Sequence, residues 1–201
     1  MDELPITAVL TEEHGQTLLS SAREAITIYL QTKKTVSPET AVSPLDRKAG
    51  AFVTLWLKQI PLEQENIAAG HLRGCIGHIQ PDAPLFQIVP VMAVRAATAD
   101  PRFPPMSLDE LENIQIELSV LSQLTPVINV NDIEVGKHGL FIEAGINRGL
   151  LLPDVPTRRS WDLSQFLQAV CLKANLPADF WRNDKATLSS FTTATFEEPV
   201  E

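Results

Sequence analysis

The chain has 201 residues, of which 44% are hydrophobic and 20% charged, and a formal net charge of -9. That composition excludes an intrinsically disordered protein and suffices for one good-sized core, or for one domain with a smaller lobe. The acidity argues against bulk binding to nucleic acid or anionic membrane, leaving only a local basic pocket or a specific RNA site open.

The N-terminal residues Met1 to Pro5 are acidic and lack a charged-then-apolar leader pattern. No apolar run approaches the roughly 18 residues that span a bilayer. Two cysteines, Cys75 and Cys171, are too few for a disulfide framework. They are read as free thiols in a reducing compartment, which gives the expectation of a cytoplasmic protein without a membrane span.

Thr11-Glu12-Glu13 opens a helix with acids in its first turn, and Leu18, Leu19, Ala22, Ile26, Tyr29 and Leu30 form its apolar stripe. The polar stretch 33–50, with Pro38 and Pro44, is a loop. Ala51 to Leu57 is rich in β-branched and aromatic residues and predicts a strand. After a connection over 61–70, His71 to Ile79 predicts a second strand, antiparallel to the first. Asp82 is a candidate cap for a helix from Leu85 to Ala99, which Pro90 should bend or split.

Residues 100–105, Asp-Pro-Arg-Phe-Pro-Pro, cannot be regular structure. Ser107 and Glu110 have capping-box spacing, so a short helix should follow. Ile114, Ile116, Leu118 and Val120 alternate with polar residues and predict a half-buried strand. Residues 139–144 and 149–152 predict a hairpin with a four-residue loop at Gly145 to Arg148. The run 154–160 reads as irregular. Asp162 and Gln165 cap a helix with Leu163, Phe166, Leu167, Val170, Cys171 and Ala174 on one face, closed by Asn175 and Pro177. Thr187 to Phe196 predicts a last strand. Strands joined by hairpins and irregular loops, without strict helix alternation, indicate an α+β domain on a mainly antiparallel sheet.

The segment His71-Leu-Arg-Gly-Cys-Ile-Gly-His78 carries the candidate chemistry. In a regular strand His71, Arg73 and Cys75 share one face, while Leu72, Ile76 and His78 take the other. An arginine beside a thiol favours the nucleophilic thiolate, and the opposing reading is a buried, inert cysteine. Arg73 either holds a carboxylate or phosphate in a bidentate fork or makes a salt bridge with Glu117 or an aspartate. Gly74 and Gly77 either admit a ligand to the backbone or relieve crowding. His138, flanked by glycine, is a candidate base for Cys75, against a histidine satisfied by backbone. Arg102 is a candidate for the same anion site. No Cys-x-x-Cys or His-Glu-x-x-His spacing exists, so no metal site is expected.

Leu72-Arg73-Gly74-Cys75-Ile76-Gly77 resembles the signature of the AMMECR domain family, also called protein A of the AmmeMemoRadiSam system. Further segments match in order: 100–105 with Glu117-Leu-Ser-Val-Leu-Ser122, Lys137-His-Gly-Leu140, Gly149-Leu-Leu-Leu-Pro153 with Trp161-Asp162, and Cys171-Leu-Lys-Ala174 with Leu176-Pro177 and Trp181. Asp154 stands where the family usually has glutamine, and Asn175 where it usually has glycine.

The resemblance implies a single two-lobed α+β domain over 1–201. It implies about five antiparallel strands in the larger lobe, both chain ends in that lobe, and a cleft between the lobes. By association it implies Memo-like and radical S-adenosylmethionine proteins as partners. It implies no reaction and no known cofactor. The expectation is an enzyme or enzyme component that binds a small anionic or nucleotide-like ligand through Arg73, Gly74, Gly77, Arg102 and Glu117. Cys75 and His138 are its catalytic candidates. The alternative is a non-catalytic adaptor that binds a protein partner through the same cleft.

Overall fold

A computed structural model describes residues 4–36, 43–58 and 72–199. Pro38, the connection 61–70 and His71 therefore lie outside the described residues. The chain divides into two compact units, one running to Leu121 and resuming at Ala194, the other spanning Ser122–Thr193.

The first unit opens with a short helix, α1 (Ile6–Val9), and then α2 (Glu12–Thr32). Thr11 caps α2 with the help of His14, and Lys33 closes it in the left-handed region. Strand β1 (Ala51–Leu57) coincides with its expected bounds, and β2 (Leu72–His78) pairs with it antiparallel. Helix α3 (Leu85–Thr98) runs unbroken through Pro90. Proline in the second turn removes only one backbone donor, and the apolar face of α3 is buried on both sides of it. Pro84, not Asp82, precedes this helix, and Asp82 instead bonds the His78 ring at 2.6 Å.

Strand β3 (Ile114–Leu121) pairs antiparallel with β1, and the sheet is completed by β8 (Thr193–Glu197) in the order β2-β1-β3-β8. Ala51, Val53 and Leu55 of β1 and Ile114, Ile116, Leu118 and Val120 of β3 meet α2 and α3 in one core. By alternation, Phe52, Thr54 and Trp56 of β1 face away from those helices, as do Gln115, Glu117 and Ser119 of β3. Glu117 and Ser119 are themselves buried, so β3 is covered on both faces, not half-buried as its pattern suggested.

The second unit holds β4 (Thr125–Pro126), β5 (Gly139–Ala144), β6 (Asn147–Leu151) and β7 (Thr187–Phe191), in the order β4-β7-β5-β6. The β5–β6 loop is only Gly145-Ile146, since Asn147 already pairs with Ala144, and Gly145 supplies the positive φ of 60°. Residues expected to be irregular form a short helix, α4 (Asp154–Arg158). Helix α5 (Leu163–Lys173) carries the Asp162–Gln165 capping box and seats Phe166, Leu167, Val170 and Cys171 against Leu140 and Ile142. Asn175 takes the expected left-handed conformation, with φ of 57°.

The α+β class and the antiparallel pairing follow the expectation. Among the described residues the strands form two sheets of four, where a sheet of about five was expected. The threonine-rich run read as a single last strand divides at Thr192: β7 belongs to the sheet of the second unit and β8 to that of the first.

Candidate functional site: a bulged edge strand and the loop that holds it

Register decides which way the signature residues point. Cys75 pairs with Thr54 and Gly74 with Leu55, but Trp56 pairs with Leu72, leaving Arg73 as an extra residue. This is a β-bulge, and it resets the alternation on either side of it. Leu72 is therefore on the face of Trp56, Thr54 and Cys75, not on the core face assigned to it by regular alternation. Ile76 does pack against the helix-side core. The irregularity sits at Arg73 and not at either glycine of the segment.

The two glycines have packing causes. A Cβ on Gly74 would stand 2.2 Å from the Ala96 carbonyl oxygen of α3, and one on Gly77 would stand 2.3 Å from the Phe52 ring. Gly74 lets a helix backbone approach the strand, and Gly77 lets an aromatic ring lie over it.

Arg73 is buried and its guanidinium is held by the loop that follows α3. Nε donates to Glu110 Oε2 at 2.7 Å, and Nη2 donates to Glu110 Oε1 and to the Pro104 carbonyl, both at 3.1 Å. Its partner is thus Glu110, neither Glu117 nor an aspartate. Glu110 also accepts from the Ser107 backbone N–H and hydroxyl. Burial acts to raise its pKa, but the bonds from Arg73 and Ser107 win and hold the carboxyl below its ordinary range. The remaining nitrogen of Arg73, Nη1, is buried and meets no hydrogen-bond partner among the described residues.

The same loop covers the open edge of β2. The Cys75 backbone N–H donates to Asp100 Oδ2 at 2.8 Å. Arg102 closes on Asp100 with Nε to Oδ1 at 2.9 Å and Nη2 to Oδ2 at 2.6 Å. Burial of Asp100 opposes its charge, yet the bonds from Arg102 and Cys75 bring its pKa down to about 2. The Phe103 ring lies near both guanidiniums, 5.9 Å from the carbon centre of Arg73 and 5.5 Å from that of Arg102.

On the face turned away from α2 and α3, Cys75, Thr54 and Glu117 stand in one row across three strands. The Thr54 hydroxyl donates to Cys75 Sγ at 3.3 Å, and Trp56 Nε1 donates to Glu117 Oε2 at 3.1 Å. Burial pushes the Cys75 thiol up, and the carboxylates of Asp100 and Glu117 add to this. The Thr54 bond and the charge of Arg102 oppose it without reversing it. Arg73 is not among the groups that lower the thiol; its guanidinium is paired with Glu110.

Arg73, Gly74, Cys75, Gly77, Arg102 and Glu117 all lie in the first unit, on β2, β3 or the loop after α3. His138 lies in the second unit, where its Nδ1 accepts the Glu134 backbone N–H at 3.0 Å. Among the described residues no group of three or more His, Cys, Asp or Glu side chains could hold a metal ion. No described helix is long and apolar enough to cross a membrane. Sequence reasoning did not find Glu110, Asp100 or Thr54. Glu110 was legible only as the far end of a capping box, whereas its carboxylate also serves the bulge.

The AMMECR1 family model matches residues 19–196. The chain belongs to the AMMECR1 family. Protein MK0488 of Methanopyrus kandleri is 41% identical over 196 residues, which cover 94% of this chain and 90% of that one. Protein PH0010 of Pyrococcus horikoshii is 40% identical over 195 residues, covering 94% and 92%. The crystal structure of PH0010, an uncharacterised protein, aligns with a TM-score of 0.86 and 38% identity, over 94% of this chain and 93% of that chain. Two of the segments that carried the family resemblance, 72–77 and 100–105, meet here through Arg73–Pro104 and Cys75–Asp100.

Proposed function

We propose that this AMMECR1-family protein binds a small molecule at the bulge of β2, beside Arg73 and Cys75, as an enzyme component or a ligand-dependent regulator. One observation carries the reading. Arg73 is fixed on one edge by Glu110 and Pro104, while Nη1, on the far side of the guanidinium, is buried with its hydrogen-bonding capacity unused. Leaving such a donor unpaired costs about 1–3 kcal/mol, more when it is charged, so the arrangement favours an occupant with an acceptor atom. Binding fits this geometry better than thiol catalysis, since Cys75 is held as a neutral thiol and the His138 ring already accepts a backbone bond.

A thermal-shift screen of a metabolite library against the unaltered protein and Arg73→Lys tests the reading. Lysine keeps the charge but loses the planar fork. The expected result is at least one compound that stabilises the unaltered protein and not the variant, with Cys75→Ala intermediate. A library whose hits stabilise both proteins equally would remove Arg73 from ligand binding. A library without hits, from a protein that retains a partner chain dependent on Arg73, would favour the adaptor reading.

A further inference from the structure

The charges around Arg73 restrict what can bind there. Two guanidiniums, Arg73 and Arg102, face two carboxylates, Glu110 and Asp100, each within a bidentate pair. Both carboxylates are held ionised, that of Asp100 with a pKa of about 2 and that of Glu110 below its ordinary range. A third carboxyl, Glu117, is buried two strands away in the Cys75–Thr54 row. The cluster therefore offers an incoming anion no net positive charge.

Burial sharpens the point. The Arg73 side chain is 9% exposed, and Nη1 is enclosed. An anion brought to that depth loses its hydration, at a cost far larger than for a neutral amide or carbonyl. Its Coulomb gain from Arg73 is reduced by Glu110 at the opposite edge of the same guanidinium. A neutral oxygen pays the smaller desolvation cost and still satisfies the unused N–H.

We infer that the ligand atom received by Arg73 Nη1 is an uncharged acceptor, a carbonyl or amide oxygen, and that carboxylate and phosphate groups are discriminated against by the pre-paired charges. The inference rests on the small-molecule reading above and names its ligand class. Glu110 is then a specificity-determining residue: it holds Arg73 in place and weakens its attraction for anions.

The test follows the guanidinium nitrogen and proton resonances of Arg73 by NMR, assigned through their loss in Arg73→Lys. The unaltered protein is titrated at constant ionic strength with four probes: N-methylacetamide, uracil, acetate and inorganic phosphate. The neutral probes should move the Arg73 signals saturably and at least about tenfold more tightly than either anion. Glu110→Gln, which leaves the shape and removes the charge, should reverse that order. A preference for acetate or phosphate in the unaltered protein overturns the inference while leaving the small-molecule reading standing. Signals that no probe moves, in the unaltered protein or in Glu110→Gln, overturn both. The order of preference in the unaltered protein decides the matter even if Glu110→Gln does not fold.

Discussion

The Asp100 carboxylate accepts the backbone N–H of Cys75 at 2.8 Å, in the position where a neighbouring strand would otherwise pair with β2. A side chain has taken the place of a ladder partner. Arg102 holds that carboxylate in turn, so the edge is closed by an ion pair and not by more sheet.

The first prediction concerns acid. The carboxyl of Asp100 titrates at about 2 in the folded protein, against 3.8 as its ordinary value. A depressed carboxyl contributes stability that is fully present above the ordinary value and is lost as pH falls toward the folded one. Asp100 should therefore contribute about 2 kcal/mol above pH 4, disappearing between roughly pH 4 and 2. Urea unfolding across that range should show Asp100→Asn with a flatter pH profile. Equal slopes for the two proteins would remove Asp100 from the acid transition.

A second prediction separates two glycines. Gly74→Ala drives a methyl against the Ala96 carbonyl of α3, where backbone must give way, and should cost at least about 2–3 kcal/mol. Gly145→Ala has open space but a φ of +60°, so its cost should be about 1 kcal/mol. Thermal melts of the two variants would expose an error if their order were reversed.

The Arg73–Glu110 pair predicts strong coupling. Arg73→Met strands a partly buried carboxylate and should destabilise by about 3 kcal/mol, less if water reaches Glu110. Adding Glu110→Leu should recover more than half of that loss. A double-mutant cycle by denaturant unfolding measures it, and additive effects would mean that the two side chains do not act as one.

Thiol labelling gives the fourth. Cys75 should react in the folded protein at least about tenfold more slowly than a model thiol at pH 7, because burial and two carboxylates disfavour its thiolate. Asp100→Asn should accelerate it. Cys171, fully buried in the core of the second unit, should stay unlabelled until unfolding. A Cys75 that outpaces the model thiol would restore the nucleophile reading.

What could be read from sequence was local. The bounds of β1 and the Asp162–Gln165 cap of α5 were legible because the residues within each segment determine them. The orientation of Leu72 was not, because register belongs to a pair of strands and the bulge at Arg73 is visible only against β1. Glu110 was hidden in the same way: its spacing from Ser107 satisfied a local rule, and its bond to Arg73 crosses 37 positions. The glycines of the signature invited a ligand until the Ala96 carbonyl and the Phe52 ring were found against them.

The division of the last threonine-rich run at Thr192 bears on the order of synthesis. Strands β1, β2 and β3 of the first sheet leave the ribosome before residue 122, but their fourth partner, β8, emerges only after all of the second unit. Glu198, which follows β8, accepts from both Arg23 of α2 and the Ile116 backbone N–H, so the latch for α2 is made only after the second unit. A nascent chain must wait with one flank of its first sheet unpaired while the 71 residues between β3 and β8 are added. Closure of that sheet therefore waits on the second unit, and shortening the chain before β8 should trap an open, association-prone intermediate.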